Sequence, residues 1–564
     1  MPTIDIEYDE LEKMLGISLN RDREKIDNVL ASAKGEVKTF DEKTGAISVE
    51  IKDTNRPDIW NVEGLARTLR GFLGLDKGLK QYKVGRPVTE IHVDKRLKSI
   101  RPFIGCSVVK NVELTDAIIR ALMQLQDKLD HTYGRNRRRT SIGLYDFDMI
   151  ASPLTYTVAK PTELSFVPLG FEKEMNLKEI LREHPKGLEY GSIVRGHPLY
   201  PMLFDAEKKI LSFPPIINSN DLGRITEQTK NILIEVTGTV QETVLNTLKI
   251  VTLSLIDRGG KAYSATVHYP QGATVVTPNF ETGCMDLDVG YVNKVLGLEL
   301  TAKQIGELLG KAGFGVEKLG RDKLTVQIPC YRIDVMHRVD LIEDIAIAYG
   351  YNNIKPLFRK LPTTGGVRPE QGLLDVAREL MVGLGFQEIL TYTMTNPESL
   401  FTKMHVKKKS IVEFANPKVQ TLTCLRNWLL PGLMEFLSCN LHIEYPQRIF
   451  ELGKVTVLDE KKETMTWDVD TLAAVVSHSN ASFSEVKSAL DAFFTNLGLE
   501  WQIKETQQPS FIDGRIGIAI VNQIEVGILG EVHPRVLEAW KLENPVAALE
   551  LNMEKLFKIK HGKH

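Results

Sequence analysis

The chain reads as a multidomain protein of mixed α/β and α+β class, on three observations. Its 564 residues suffice for three or four domains, each with ample core. Hydrophobic content of 43% and charged content of 26% are ordinary for a globular protein. Helical periods and strand alternation succeed one another in blocks, punctuated by Gly, Pro and Asn/Asp turns.

Composition excludes several classes. A net charge of -2 provides no global basic field, so any nucleic-acid contact must rest on local patches. The five cysteines (Cys106, Cys284, Cys330, Cys424, Cys439) are scattered with no C-x-x-C pair. That argues against a zinc ribbon or disulfide framework and fits a reducing, cytoplasmic setting. The first residues carry no basic and apolar leader, and no apolar run approaches the roughly 18 residues of a membrane span.

Residues 1–85 read as a small α/β unit. Tyr8 to Leu15 is predicted helical, with strands at Glu36–Lys38 and Ala46–Ile51. Asn55-Arg56-Pro57-Asp58 is a turn, because Pro57 biases Arg56 away from the helix, and a helix follows to about Leu73. Residues 86–268 form a second unit. A helix over Ala117–Tyr133 leads into Arg135-Asn136-Arg137-Arg138-Arg139, four arginines in five positions, then a strand at Ile142–Asp146. Guanidinium groups suit phosphate geometry; a solvated basic turn is the other reading.

The stretch Ile232–Thr239 reads as a buried strand interrupted by Glu235 and Thr237, which alternation places on one side. A carboxylate there costs several kcal/mol unless it is paired or lines a cavity. Pro214-Pro215, before a polar turn, would help fix a pocket wall. His197 and His268 are candidate bases, although a lone histidine is more often structural.

Residues 270–353 form a third unit. Asp288 caps a helix over Val289–Leu296 stopped by Gly297, and Thr301 opens another with capping-box spacing to Gln304. A hairpin around Lys318–Lys323 follows. Two helices and a hairpin resemble a winged helix. Cys330 to Asn352 closes the unit as a helix, with Asp334 placed to cap it and Gly350 to end it. Asp340, Glu343 and Asp344, at i, i+3 and i+4, share one face; Asp334 does not lie on it by angle. Carboxylates so crowded call for a compensating cation: counter-ions, a basic partner or a metal. Oxygen ligands with water suit Mg²⁺, and a solvated acidic face is the plainer reading.

Residues 356–564 read as a larger α/β unit. An amphipathic helix spans Pro369–Leu384, with a strand before Tyr392, a helix opening at Leu425–Leu433, and strands at Arg448–Gly453 and Ile524–Pro534. No P-loop and no Rossmann glycine fingerprint occurs anywhere.

The Asn-Arg-Pro-Asp phrase, the arginine run, the Glu235 strand, the acidic helix and the phrase Gly530-Glu531-Val532-His533-Pro534 together resemble the β subunit of phenylalanyl-tRNA synthetase, archaeal and eukaryotic type. The resemblance covers essentially the whole chain. It implies an N-terminal B1-like domain, a B3/B4-like editing domain, a winged-helix-like B5 domain and a degenerate class II synthetase-like antiparallel sheet domain. It implies a cytoplasmic α2β2 heterotetramer with an α subunit, which attaches phenylalanine to tRNA(Phe) using ATP, away from any membrane. It implies that this chain hydrolyses mischarged tyrosyl-tRNA, with pocket residues Leu203, Ser212, Glu235 and Thr237. It implies Mg²⁺ shared with the α subunit, with Asp334, Asp340, Glu343 and Asp344 as ligands. Arg448 to Glu451 is only loosely similar to the class II motif 2, and Gly527 to Val532 lacks the arginine that motif 3 would supply for ATP. Adenylation is therefore expected on the α subunit. A non-catalytic RNA-binding or scaffolding protein built from the same modules is the alternative.

Overall fold

A computed structural model describes residues 1–358 and 363–562. The chain divides into two compact units, Met1–Phe358 and Arg359–His564.

Besides a two-stranded pairing of Ser165–Phe166 with Met175–Asn176, the first unit contains three larger sheets. The smallest N-terminal one pairs Thr3–Glu7 and Gly35–Phe40 on either side of Ala46–Ile51. Helix Tyr8–Leu15 ends on a left-handed Gly16, and Asn61 caps helix Val62–Phe72 through Gly64 N. Their apolar faces (Leu11, Leu15, Leu65, Leu69) bury against Ile47 and Val49. The Asn-Arg-Pro-Asp phrase is a short 3-10 turn, and Arg56 pairs there with the buried carboxylate of Asp58 through two 2.8 Å hydrogen bonds.

The central sheet has ten strands. Its order runs Ile217–Asn218, Ile210–Phe213, Tyr200–Phe204, Leu154–Ala159, Gly85–Val93, Lys261–His268, Phe103–Lys110, Ile232–Gly238, Thr140–Asp146. The tenth strand, Thr274–Thr277, pairs with Lys261–His268, so this sheet runs beyond residue 268. Strand alternation divides Ile232–Gly238 between two environments. Ile234 and Val236 pack beneath helices Asp116–His131 and Gln241–Asp257. Leu233 faces the other way, into a cluster with Cys106, Tyr145, Tyr156 and Leu203. The sheet rolls until its two ends meet: Asn218 lies within hydrogen-bonding reach of Leu144 O and Tyr145 OH.

The third sheet sets Lys323–Ile328 between Gly283–Asp288 and Gly315–Leu319, with helices Val289–Leu296, Ala302–Lys311 and Arg338–Tyr349. The predicted caps hold at Asp288 and at the Thr301/Gln304 capping box. The last helix differs from expectation. It starts at Arg338, and His337, not Asp334, caps it, in a capping box with Asp340. Gly350 does end it.

The second unit is built on a seven-stranded sheet ordered Gln387–Glu388, Gln447–Leu458, Thr466–Ser477, Val546–Asn552, Ile524–Val532, Phe511–Val521, Trp501–Glu505. All neighbours are antiparallel except the first pair. Leu472, Ala474 and Val476 face one core with helices Pro369–Gly383, Phe483–Leu497 and Met553–His561. Ala473 and Val475 face another with helix Leu430–Cys439. The strand expected before Tyr392 shrinks to Gln387–Glu388, because Leu390 and Tyr392 point to solvent.

Candidate functional site

The rolled central sheet encloses a cavity of about 1190 Å³. Ser141, Ile142 and Leu144 from one sheet edge and Ser212 to Asn218 from the other line it, with Glu235 between them. Glu235 is 2% exposed. Its Oε2 accepts a 2.9 Å hydrogen bond from Tyr145 OH, which also lies 3.3 Å from Asn218 Oδ1. Its Oε1 is buried and has no partner among the described residues, and the same holds for Ser212 Oγ. Burial pushes the Glu235 carboxyl up to about 7, against the opposing pull of the Tyr145 hydrogen bond and the Arg101 guanidinium. The cavity wall thus holds one carboxylate oxygen and one hydroxyl that are buried and unpartnered among the described residues.

The four residues matched to a pocket do not all reach the lining. Ser212 and Glu235 do. Thr237 lies on the same side of its strand as Glu235, as alternation requires, but accepts a 3.0 Å hydrogen bond from Arg101 Nε. Arg101 also donates to Ser141 Oγ and to the carbonyls of Thr237 and Arg137. Thr237 therefore helps hold a buried cation behind the wall. Leu203 stands opposite Ser212 in register and belongs to the apolar cluster behind the cavity. His197 and His268 are absent from the lining; His268 stacks on His92 and contacts Glu90 at 3.2 Å.

Sequence reasoning missed Tyr145, Asn218 and Gly143. Gly143 sits opposite Glu235 in register, and a Cβ there would lie 2.6 Å from Glu235 Oε2 and 2.4 Å from Tyr145 OH. A lone glycine within a strand was the available signal, since it marks a close approach. Tyr145 had none, because its partner lies 90 residues away. Of the arginine run, Arg137 is a buried structural residue: it pairs with Asp130 at 2.9 Å and donates to Pro215 O and Ile216 O.

The acidic set matched to a metal is not gathered either. Arg332 binds Asp334 through 2.9 and 2.7 Å hydrogen bonds and Asp344 at 2.5 Å, with Arg56 3.7 Å from Asp334. Burial raises the Asp334 carboxyl, but Arg332 and Arg56 outweigh it and hold the group below its ordinary value. Asp340 Oδ2 accepts from Met336 N and His337 N, and Glu343 pairs with Lys34 at 2.6 Å. Among the described residues no three Asp, Glu, His or Cys side chains are arranged to hold a metal ion. The donor set does not fit Mg²⁺ within this chain, because two of its four carboxylates are neutralised by arginine. The helical-face reading missed this because Arg332 lies outside the helix and folds back onto it.

No helix among the described residues is long and apolar enough to cross a membrane. The family description "tRNA synthetase B5 domain" matches residues 285–351, and "Phenylalanyl tRNA synthetase beta chain CLM domain" matches 354–553. The class is therefore that of an aminoacyl-tRNA synthetase chain. The phenylalanine–tRNA ligase beta subunit of Pyrococcus furiosus is 43% identical over 560 residues, 99% of this chain and 100% of that protein. That of Archaeoglobus fulgidus is 42% identical over 561 residues, 99% of each. Among solved structures, an N-terminal fragment of the phenylalanyl-tRNA synthetase beta subunit from Pyrococcus horikoshii matches with TM-score 0.60 at 39% identity, covering 62% of this chain and 100% of the fragment. The chain belongs to the phenylalanine–tRNA ligase beta subunit family, and so is a ligase subunit of protein biosynthesis.

Proposed function

We propose that this chain supplies editing and assembly to a cytoplasmic α2β2 phenylalanine–tRNA ligase. With the α subunit it attaches L-phenylalanine to tRNA(Phe) using ATP and Mg²⁺, and the Glu235 cavity hydrolyses tyrosine wrongly joined to that tRNA. One observation carries the editing reading: Glu235 keeps a buried, unpartnered Oε1 while Tyr145 secures its other oxygen.

An apolar pocket built for phenylalanine rejects an analogue with one added hydroxyl by only about 10². A second site that offers an acceptor inverts the selection. The tyrosine hydroxyl donates to Oε1, whereas phenylalanine leaves that oxygen buried and unpaired. Ser212 Oγ orients a water or the ester carbonyl. Water oxygen adds to the carbonyl carbon, and the ribose hydroxyl leaves carrying a proton. Leu203 and Thr237 act from behind, by shaping the wall and by anchoring Arg101. Among the described residues no paired nucleophile and base line the cavity, which favours an oriented water over a covalent intermediate.

Adenylation belongs on the α subunit. On the second unit's sheet Arg426 pairs with Glu451 and Arg448 with Glu485, so neither is free to clamp a phosphate. The recess on that sheet, about 330 Å³, is lined by Glu525 and Glu550 with a single cation among the described residues, Lys555, which donates to Glu525 O.

The test is hydrolysis of tyrosine- and phenylalanine-charged tRNA(Phe) by this chain assembled with the α subunit. Selective release of tyrosine is expected. Glu235→Ala should slow that release and leave phenylalanine attachment intact; an unchanged deacylation rate would remove Glu235 from the site.

A further inference from the structure

The arginine run sorts its side chains into two groups. Arg135, Asn136 and Arg137 all adopt left-handed backbone, with φ of 51°, 53° and 62°. Side chains disfavour that region because Cβ crowds the backbone carbonyl. Hydrogen bonds from Arg137 N to Asp130 O (3.0 Å) and Arg139 N to Gly134 O (2.8 Å) hold the turn. Arg137 points inward to the Pro215–Ile216 wall of the cavity. Arg135 and Arg138 stand exposed and Arg139 half-buried, with no carboxylate paired to any of them among the described residues.

These three arginines line a recess of about 510 Å³ with His131 and Thr132. His131 and Thr132 also line a neighbouring recess of about 760 Å³, and that one shares Arg120, Met123 and Asp127 with the Glu235 cavity. The three spaces therefore adjoin along one side of helix Asp116–His131, whose 16 residues span roughly 24 Å at 1.5 Å each. At the cavity end Arg120 is neutralised by Asp116 (3.0 Å) and Glu7 (3.5 Å) beside Asp127, so the positive excess lies at the arginine end. Midway, Met123 is 48% exposed, and Trp60 lines the track with a buried indole Nε1 that lacks a partner.

We propose that this track docks the single-stranded 3′ end of an RNA. Phosphates sit on Arg135, Arg138 and Arg139, bases cross the apolar middle at Met123, and the terminal nucleotide enters the cavity. The inference rests on the reading of the cavity as an aminoacyl-ester hydrolase. Unpaired guanidinium groups are suited to phosphate oxygens, and a positively charged groove that tracks the backbone is how single strands are held. Arg137 ties the same turn to the cavity wall, so the docking groups keep a fixed position relative to the reaction.

The experiment compares the full chain, assembled with its α subunit, carrying Arg135→Gln, Arg138→Gln and Arg139→Gln, with the parent. Substrates are tyrosine-charged tRNA and tyrosyl-adenosine, which lacks the phosphates. For the charged tRNA KM should rise at least about tenfold with kcat within twofold, while tyrosyl-adenosine is hydrolysed as by the parent. The log–log salt slope of uncharged tRNA binding should fall by about 2, each single-strand phosphate contributing about 0.7. The corresponding triple Lys variant should restore that slope, and tRNA shortened by its 3′ single strand should bind parent and variant alike. Unchanged KM and slope would overturn the proposal. Joint loss of tyrosyl-adenosine hydrolysis would do so too, by making the arginines structural. If the parent hydrolyses neither substrate, the hydrolase reading fails, and the salt slope still decides the docking surface.

Discussion

Two of the places where the first unit buries acids treat them in opposite ways. Around Arg332, Asp334 and Asp344 are matched by a guanidinium with Arg56 close by, and their charge is spent internally. In the cavity, Glu235 receives a single tyrosine hydroxyl and keeps its other oxygen bare. Burial of a carboxylate is costly in both places. A closed ion-pair network joins chain segments, here the Asn-Arg-Pro-Asp turn to the acidic helix. An acid left half-satisfied beside open space is arranged for something that arrives from outside. Satisfaction of the lone pairs, rather than acidity or depth, separates the two sites.

Removing the cation from the closed network should produce the largest effect. Arg332→Ala strands Asp344 as an unpaired buried charge and leaves Asp334 only the more distant Arg56, and should destabilise the protein by about 3–5 kcal/mol. Urea denaturation at pH 7 measures this; a loss below about 1 kcal/mol would mean that the pairing is not structural.

The open site should respond in the other direction. Glu235 has its folded pKa raised from 4.5 to about 7, so between those values the folded state holds the proton more tightly than the unfolded state. Its contribution to stability therefore falls as pH rises from about 4.5 to 7, by roughly 3 kcal/mol at about 1.36 kcal/mol per pH unit. Glu235→Gln removes that dependence. It should melt at a higher temperature than the parent at pH 8 and nearly level with it at pH 4.5. Thermal scans across pH decide the point, and a parallel offset at every pH would contradict it.

Gly143→Ala sharpens the contrast inside the cavity. The added methyl would collide with Glu235 Oε2 and Tyr145 OH, and should cost about 1–3 kcal/mol. It should also displace the carboxylate, lowering tyrosine release from charged tRNA at least tenfold while phenylalanine attachment persists. The smallest effect belongs to the acidic helix surface. Glu343→Gln breaks only the half-exposed Lys34 contact and should cost less than about 1 kcal/mol. If instead Mg²⁺-dependent assembly with the α subunit weakens in a subunit titration, Glu343 serves the metal.

Local chemistry was legible in the sequence. The bounds of Tyr8–Leu15 and Val289–Leu296, the Thr301 capping box and the alternation of Glu235 with Thr237 all appear in the structure as short-range pattern implies. These features depend on residues within a few positions of one another, where backbone geometry and hydrogen-bonding capacity are fixed by residue type. The class of the protein was legible too, because five separated phrases agreed.

Tertiary structure decided which side chains meet. Asp344 was read onto an exposed acidic face, yet it is buried against Arg332, while Val339, read as apolar seam, is 42% exposed. The helix starts later than the sequence suggests, and its core-facing side is chosen by what packs on it. Tyr145 and Glu235 meet across neighbouring strands, and Asn218 joins them only because the sheet rolls its two ends together. Period and propensity fix how a segment folds on itself. Which polar atoms are satisfied, and so which acid is left open for chemistry, depends on partners that the chain brings in from 70 or more residues away.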